Sequence, residues 1–252
     1  MNYKKIMTVN EEELEIFSRQ LILNDFNEKS FNKLQNKEVS IIGLGGVGCP
    51  IAQYLVSCGI KKLNLFDNDI IKKNNLNRQT LYSLNELGQK KVVVAKKKLI
   101  SINSQVKINA YEKKINKKNL NLLQNSSIII DSSDNWMTMK LINYYSLKNN
   151  IPLLSASAVG YDIQIILFEN NKKRHLCLEC IFPNKKEPRL ARCETVGILG
   201  TTAGLAGIFS AQKTINFFMK FNKNNNLLTL IDCKSLSLHH IKIKKNVNCK
   251  LQ

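Results

Sequence analysis

No run of the 252-residue sequence is apolar enough to cross a bilayer comfortably. The best candidate, Val196 to Phe218, is broken by Gly197, Gly200, Gly204, Gly207, Gln212 and Lys213, and reads as a buried helix. The N-terminal stretch MNYKKIMTVNEEELEIF lacks the apolar segment of an export signal, so a cytoplasmic protein is expected. No internal repeat is evident. Arginine clusters and aromatics interleaved with basic residues, the marks of single-strand nucleic-acid binding, are missing too. Acidic residues are scarce: 19 Asp+Glu against 38 Lys+Arg leave a formal charge of +19. The excess is nearly all lysine scattered among asparagines, as between Lys113 and Asn125. That pattern reads as solvated faces, able to attract an acidic partner but not built as a nucleic-acid stripe. Seven cysteines without an export signal argue against a disulfide framework, and Cys49, Cys58 and Cys233, beside apolar segments, read as small core residues.

What is present is an alternation of strands and helices. Residues 9–23 carry Leu14, Phe17, Leu21 and Ile22 at helical spacing, and a second short helix is expected over 28–34. Strands are expected at Glu38–Ile42, Lys62–Phe66, Val106–Tyr111 and Ser127–Asp131, with helices over 46–58, 87–102, 119–124 and 135–148. This order specifies a doubly wound, mostly parallel Rossmann-like α/β sheet behind an N-terminal helical segment. Beyond Pro152, two adjacent strands joined at Gly160, a helix over 199–219 and strands over 227–232 and 235–243 continue the sheet in antiparallel fashion. A single domain follows, with residues 1–36 helical, 37–150 the nucleotide-binding half and 151–252 the second half. A polar loop over about 170–195 is long enough to suspect function.

The turn Gly43-Leu-Gly-Gly-Val-Gly48 lies between the first strand and the following helix. Glycine is needed where backbone approaches a phosphate without a Cβ in the way, and the helix N-terminus behind it favours negative charge. Asp67 ends the next strand, 19 residues beyond Gly48, where a carboxylate meets ribose hydroxyls. These features suit NAD and ATP alike. The stretch Asp67–Thr80, with Asp69, Asn75, Arg78 and Gln79, separates them. A triphosphate needs fixed cationic and amide donors, and its magnesium ion needs a carboxylate. Lys91 is a second cation at suitable range. In Asp131-Ser-Ser-Asp-Asn135, at the carboxyl end of the fourth strand, Asp134 is the candidate metal carboxylate and Asn135 stands beside it. Taken singly, Asp134 also fits a helix cap or a surface charge. Carboxyl ends of parallel strands face one crevice, so Gly43, Gly45, Gly46, Gly48, Asp67 and Asp134 should converge there.

These residues resemble the ThiF/MoeB/HesA family, bacterial relatives of the ubiquitin-activating enzymes. The resemblance spans essentially the whole chain, through FSRQLIL at 17–23, GLGGVGC at 43–49, NLNRQTL at 75–81, GQKKV at 88–92, DSSDN at 131–135, CLEC at 177–180 and RCETVGILG at 192–200. It implies adenylylation of the C-terminal glycine of a ubiquitin-like sulfur carrier ending in Gly-Gly, with release of pyrophosphate, in thiamin or molybdopterin cofactor synthesis. By resemblance, Asp67 holds the ribose, Asn75, Arg78 and Lys91 grip the phosphates, and Asp134 binds Mg2+. Arg19 reaches into the ATP site of a neighbouring subunit, which implies a homodimer. The chemistry suits this inventory. A carboxylate is already a nucleophile at neutral pH, so alignment and charge neutralisation suffice and no histidine base is required.

In the family, two CxxC pairs hold a structural zinc. Here Cys177-Leu-Glu-Cys180 is present, but the end reads Asn248-Cys-Lys-Leu-Gln252, so Cys249 is the third ligand. The fourth is left open among the terminal carboxylate of Gln252, His175 and none, and a site in which the cysteines only pack is the alternative. Cys193 matches a family cysteine implicated in sulfur handling in some members, and Lys186, Arg189 and Arg192 nearby would favour its thiolate. Ser155–Gly160 and the 182–193 loop lean toward ThiF over MoeB. The competing readings are a related ATP-dependent dehydratase of threonylcarbamoyladenosine in tRNA and, behind it, an NAD-dependent oxidoreductase.

Overall fold

The structure is a computed structural model and describes residues 9–170, 176–182, 196–221, 227–246 and 249. Eight strands form one sheet in the order β3-β2-β1-β4-β5-β6-β7-β8. Strands β1 (Glu38–Ile42), β2 (Lys62–Phe66), β3 (Lys107–Tyr111), β4 (Ile128–Asp131) and β5 (Leu153–Val159) run parallel. Strands β6 (Asp162–Phe168), β7 (Leu227–Asp232) and β8 (Ser237–Lys242) extend β5 in antiparallel fashion. The expected mixed sheet is therefore present, and the change of direction falls at Gly160, whose φ of +59° suits a glycine turn.

Helices cover both faces. On one side α1 (Glu11–Leu21), α2 (Glu28–Gln35), α3 (Gly48–Ser57), α4 (Lys91–Ile102) and α7 (Gly200–Met219) bury Phe17, Phe31, Leu55, Leu99 and Ala206 against Val39, Ile41, Leu63 and Leu65. On the other, α5 (Trp136–Lys148), the short α6 (Leu178–Ile181) and their neighbours bury Ile142, Leu123 and Ile115 against Ile42, Phe66, Ile129 and Phe168. The alternation of Ile41 and Ile42 between these two cores is the period-2 signature of a strand buried on both faces.

The structure differs from the sequence expectations at three places. Helix α4 starts at Lys91, not at 87: Leu84–Glu86 form a 3-10 turn, and Ile70 bridges to Lys90 before the helix can begin. Helix α7 is buried on one face only. Thr202, Ala203, Ala206, Ser210 and Thr214 face the sheet, whereas Ile208 and Phe209 are exposed, because nothing described packs on the outer side. Gly207 lets this helix close on α3, since a Cβ there would stand 2.6 Å from the Val47 carbonyl oxygen. Of the three cysteines read as core, Cys49 is buried, while Cys58 and Cys233 are half-buried. Among the described residues, no helix is long and apolar enough to cross a membrane.

The register decides what meets at the top of the sheet. Ile42 pairs with Phe66 on one side and Asp131 on the other, and Asp131 pairs with Ser155. The carboxyl ends of β3, β2, β1 and β4 are therefore level, while β5 runs on past Ser155 to Val159. The residues that follow them stand along one crest.

Candidate nucleotide-binding and active site

A cleft of about 920 Å³ opens on this crest, lined by Gly43, Gly45, Gly46, Asp67, Asp69, Asn75, Arg78, Gln79, Lys91, Asp134 and Asn135. Eleven expected site residues, drawn from four segments of the sequence, thus share one wall. Gly48 does not line it. A Cβ on Gly48 would fall on the Gly43 carbonyl oxygen, so its role is to close the turn. Gly43 has a φ of +91° and lies against Ser132, and a Cβ on Gly46 would meet Ala203 at 2.9 Å. Gly45 differs. The nearest neighbour of a Cβ there would be Gln79 Nε2 at 3.8 Å, so packing does not demand glycine at a position that faces the cleft. The absence of a Cβ leaves the Gly45 backbone open to close approach from the cleft.

Hydrogen bonds make the crest rigid. The Leu44 N–H donates to Asp67 Oδ2 at 2.7 Å, and the Leu44 carbonyl accepts from Tyr82 Oη at 3.1 Å and from the Cys49 thiol at 3.3 Å. Burial pushes that thiol up to about 12, which removes Cys49 as a nucleophile. Asp67 Oδ1 accepts from the Asp69 N–H at 2.8 Å, so the carboxylate fastens the glycine turn and the next loop together.

The 67–80 loop is likewise held from within. Asn75 Oδ1 accepts from the Lys72 N–H at 3.1 Å, and Asn75 Nδ2 donates to Asn74 Oδ1. Arg78 Nη1 donates to the Asn74 carbonyl at 2.9 Å and to Asn77 Oδ1 at 3.0 Å. Gln79 is buried at the cleft wall with no partner for its Oε1 among the described residues. Lys91 is only 5% exposed, and its ammonium donates to Asp69 Oδ2 at 3.1 Å.

After β4, Asn135 caps helix α5, accepting at Oδ1 from the Thr138 N–H at 2.9 Å and its hydroxyl at 3.0 Å. The cap is thus Asn135 and not Asp134, whose exposed carboxylate stays at the cleft mouth. Asp131 is buried beneath them. Burial pushes its carboxyl up to about 6 against the opposing effect of the Ser133 hydroxyl and N–H donated to Oδ1.

Sequence reasoning passed over several wall residues. Ser132, Ser133 and Trp136 lie in or beside a motif already singled out, Ser155 stands on parallel β5 opposite Asp131, and Gln164 comes from antiparallel β6. Lys113 and Lys114 follow the carboxyl end of β3, so the strand-end rule applied to β1, β2 and β4 would have found them.

The remaining expected residues lie off this wall. Arg19 sits on the exposed side of α1 and does not line the cleft of its own chain. Its neighbours Ile16, Ile22 and Leu23 are exposed as well, Ile22 by 72%. Cys177, Cys180 and Cys249 bring their sulfurs within 4.8 Å of one another, with Cys177 Sγ 3.4 Å from Cys249 Sγ and 4.0 Å from Cys180 Sγ. Three converging thiols from two distant segments suit a thiophilic ion such as zinc. Cys193 with Lys186, Arg189 and Arg192, the crossover loop over 183–195, and the fourth-ligand candidates His175 and Gln252 lie outside the described residues.

Known proteins resemble this chain in sequence and in fold. The chain is 34% identical over 246 residues to the adenylyltransferase and sulfurtransferase MOCS3 of Drosophila virilis, covering 96% of this chain and 54% of that protein. It thus spans about half the length of that relative. It is 28% identical over 244 residues to the sulfur carrier protein adenylyltransferase of Thermus thermophilus, covering 94% of this chain and 90% of that one. Among solved structures, E. coli MccB with ATP superposes with a TM-score of 0.77 at 22% identity, over 97% of this chain and 82% of that one. MccB with MccA-N7isoASN gives 0.80 at 22% identity, over 94% and 74%. At that identity the likeness is one of fold. The family profile matches residues 17–251, nearly the entire chain, which belongs to the ThiF family.

Proposed function

We propose that this chain uses ATP to adenylylate the C-terminal glycine carboxylate of a ubiquitin-like sulfur-carrier protein. One observation carries the reading: the glycine turn, Asp67, Arg78, Lys91 and Asp134 line a single cleft that holds hydrogen-bond donors for phosphate and carboxylates but, among the described residues, no histidine. The printed names of the Drosophila and Thermus relatives describe the same class of reaction.

In this reading Gly45 gives the triphosphate access to backbone, Asp67 receives the ribose, and Asn75, Arg78 and Lys91 surround the phosphates. Bound at Asp134, Mg2+ would neutralise phosphate charge. The carrier carboxylate attacks the α-phosphorus. A carboxyl–phosphorus bond forms, the bond to the β-phosphate's bridging oxygen breaks, and pyrophosphate leaves with that electron pair. No proton has to move, so the wall needs donors and not a base. The +19 charge favours encounter with an acidic carrier.

Two further parts belong to the proposal. Arg19, outside its own cleft and flanked by exposed apolar residues, serves the cleft of a second copy, so the active form is a homodimer. Cys177, Cys180 and Cys249 hold zinc as a structural ion away from the chemistry.

The test is isotope exchange between pyrophosphate and ATP, with and without a carrier ending in Gly-Gly. Exchange that depends on the carrier and stops when its terminal glycine is removed is the expected result. Absence of exchange with every such carrier, alongside tight NADH binding, would overturn the reading.

A further inference from the structure

Lys91 occupies an unfavourable place for a cation. It is the first residue of α4, at the positive end of the helix dipole, and it is only 5% exposed. No side chain caps this helix at Lys90. Asp69 compensates on both counts. Its carbonyl accepts the Lys91 N–H at 3.1 Å, and its Oδ2 accepts the ammonium at 3.1 Å. Asp69 is in turn held by its own N–H, which donates to Asp67 Oδ1 at 2.8 Å, while Asp67 Oδ2 accepts from Leu44 in the glycine turn at 2.7 Å. One connected path therefore runs from the phosphate turn through two aspartates to the buried ammonium.

We propose that Asp69 is a positioning residue that aims the Lys91 ammonium at the phosphates, and that its carboxylate does not itself contact the nucleotide. This rests on the reading of the cleft as an ATP site and deepens it. The Asp69 side chain is 61% exposed while that of Lys91 is 6% exposed, so the carboxylate meets the ammonium from the solvent side and fixes where it stands on the cleft wall. Asp67 and Asp69, alike in the sequence, thus take different parts: Asp67 faces the sugar, and Asp69 acts through a neighbouring cation.

The roles separate by which nucleotide suffers. Calorimetric titration of the full chain with α,β-methylene-ATP and with AMP reads both affinities. Asp69→Asn is expected to weaken the triphosphate about tenfold and AMP by less than about twofold, with most of the loss restored by Asp69→Glu. On a Lys91→Ala background, Asp69→Asn should add less than about twofold, since its effect passes through the lysine. An unchanged thermal midpoint shows that the variant folds. Equal losses for AMP and the triphosphate, or a full loss persisting without Lys91, would mean direct contact and overturn the proposal. A wild-type chain that binds neither nucleotide would instead overturn the ATP reading, and this role with it.

Discussion

Gly43 and Ser132 are fitted to each other at the crest of the sheet. A Cβ on Gly43 would stand 2.9 Å from the Ser132 carbonyl oxygen, while the Ser132 hydroxyl donates to the Gly43 carbonyl at 2.9 Å and to that of Ile42 at 3.0 Å. The glycine turn is thus shaped by the end of β4 as much as by its own residues, and its glycines divide by purpose.

Gly43→Ala is expected to cost about 1–3 kcal/mol in urea unfolding, because it combines a φ of +91° with that contact. Gly45→Ala should change stability by less than about 0.5 kcal/mol yet weaken ATP binding. Equal destabilisation by both would show that Gly45 serves the fold and not the ligand.

The neighbours Asp134 and Asn135 should separate in the same way. Asn135→Ala removes the cap of α5 and is expected to cost about 1 kcal/mol. Asp134→Ala should leave the unfolding midpoint in place but lower carrier-dependent pyrophosphate exchange by about 100-fold or more. Full exchange activity in Asp134→Ala would remove this carboxylate from the site.

Arg19→Ala and Asp134→Ala chains, each inactive alone, should recover part of the exchange activity when mixed. A mixed dimer keeps one cleft with both an intact Asp134 and an Arg19 from the other chain. Failure to recover, with dimers confirmed by sedimentation, would argue against a shared site.

For the three thiols, metal analysis of protein made in zinc-supplemented medium should find about one zinc per chain. Cys249→Ser should lose most of it and lower the thermal midpoint by several degrees. Metal-free wild type under these conditions would leave the cysteines as packing residues.

Asp131 bears on pH. Burial raises its carboxyl from an ordinary value of 3.8 to about 6 in the folded state. A folded value above the unfolded one means that this group favours the fold fully below about 4, an advantage lost as pH rises through about 6. Relative to wild type, Asp131→Asn should therefore gain about 2 kcal/mol between pH 4.5 and 7.5, then level off. A stability difference that stays flat over this range would show that Asp131 is not held protonated.

Much of this site was legible in the residues themselves. The strands Glu38–Ile42 and Lys62–Phe66 coincide with their expected limits, since β-branched and apolar runs bounded by turn residues are local signals. The convergence of Asp67 and Asp134 followed from the strand-end rule. The start of α4 was misplaced by four residues because a bridge between Ile70 and Lys90 holds residues 87–90 out of the helix, and that contact is not local. The parts of Gly45 and Gly48 looked identical because one glycine letter stands both for room left to a ligand and for room taken by a neighbouring carbonyl.

By itself, then, the sequence determined the strand–helix order, the glycine turn, and the set of charges and amides that a nucleotide cleft requires, because propensity, turn chemistry and residue type act over a few positions. Only the tertiary structure decided how those residues divide their work: Gly45 toward the cleft and Gly48 against Gly43, Asn135 as the cap and Asp134 at the cleft mouth, Lys91 on Asp69, and Arg19 outside its own site. Those assignments depend on which atoms from distant segments come within a few ångströms of each other. Sheet register and helix packing set that proximity, and no stretch of sequence encodes it alone.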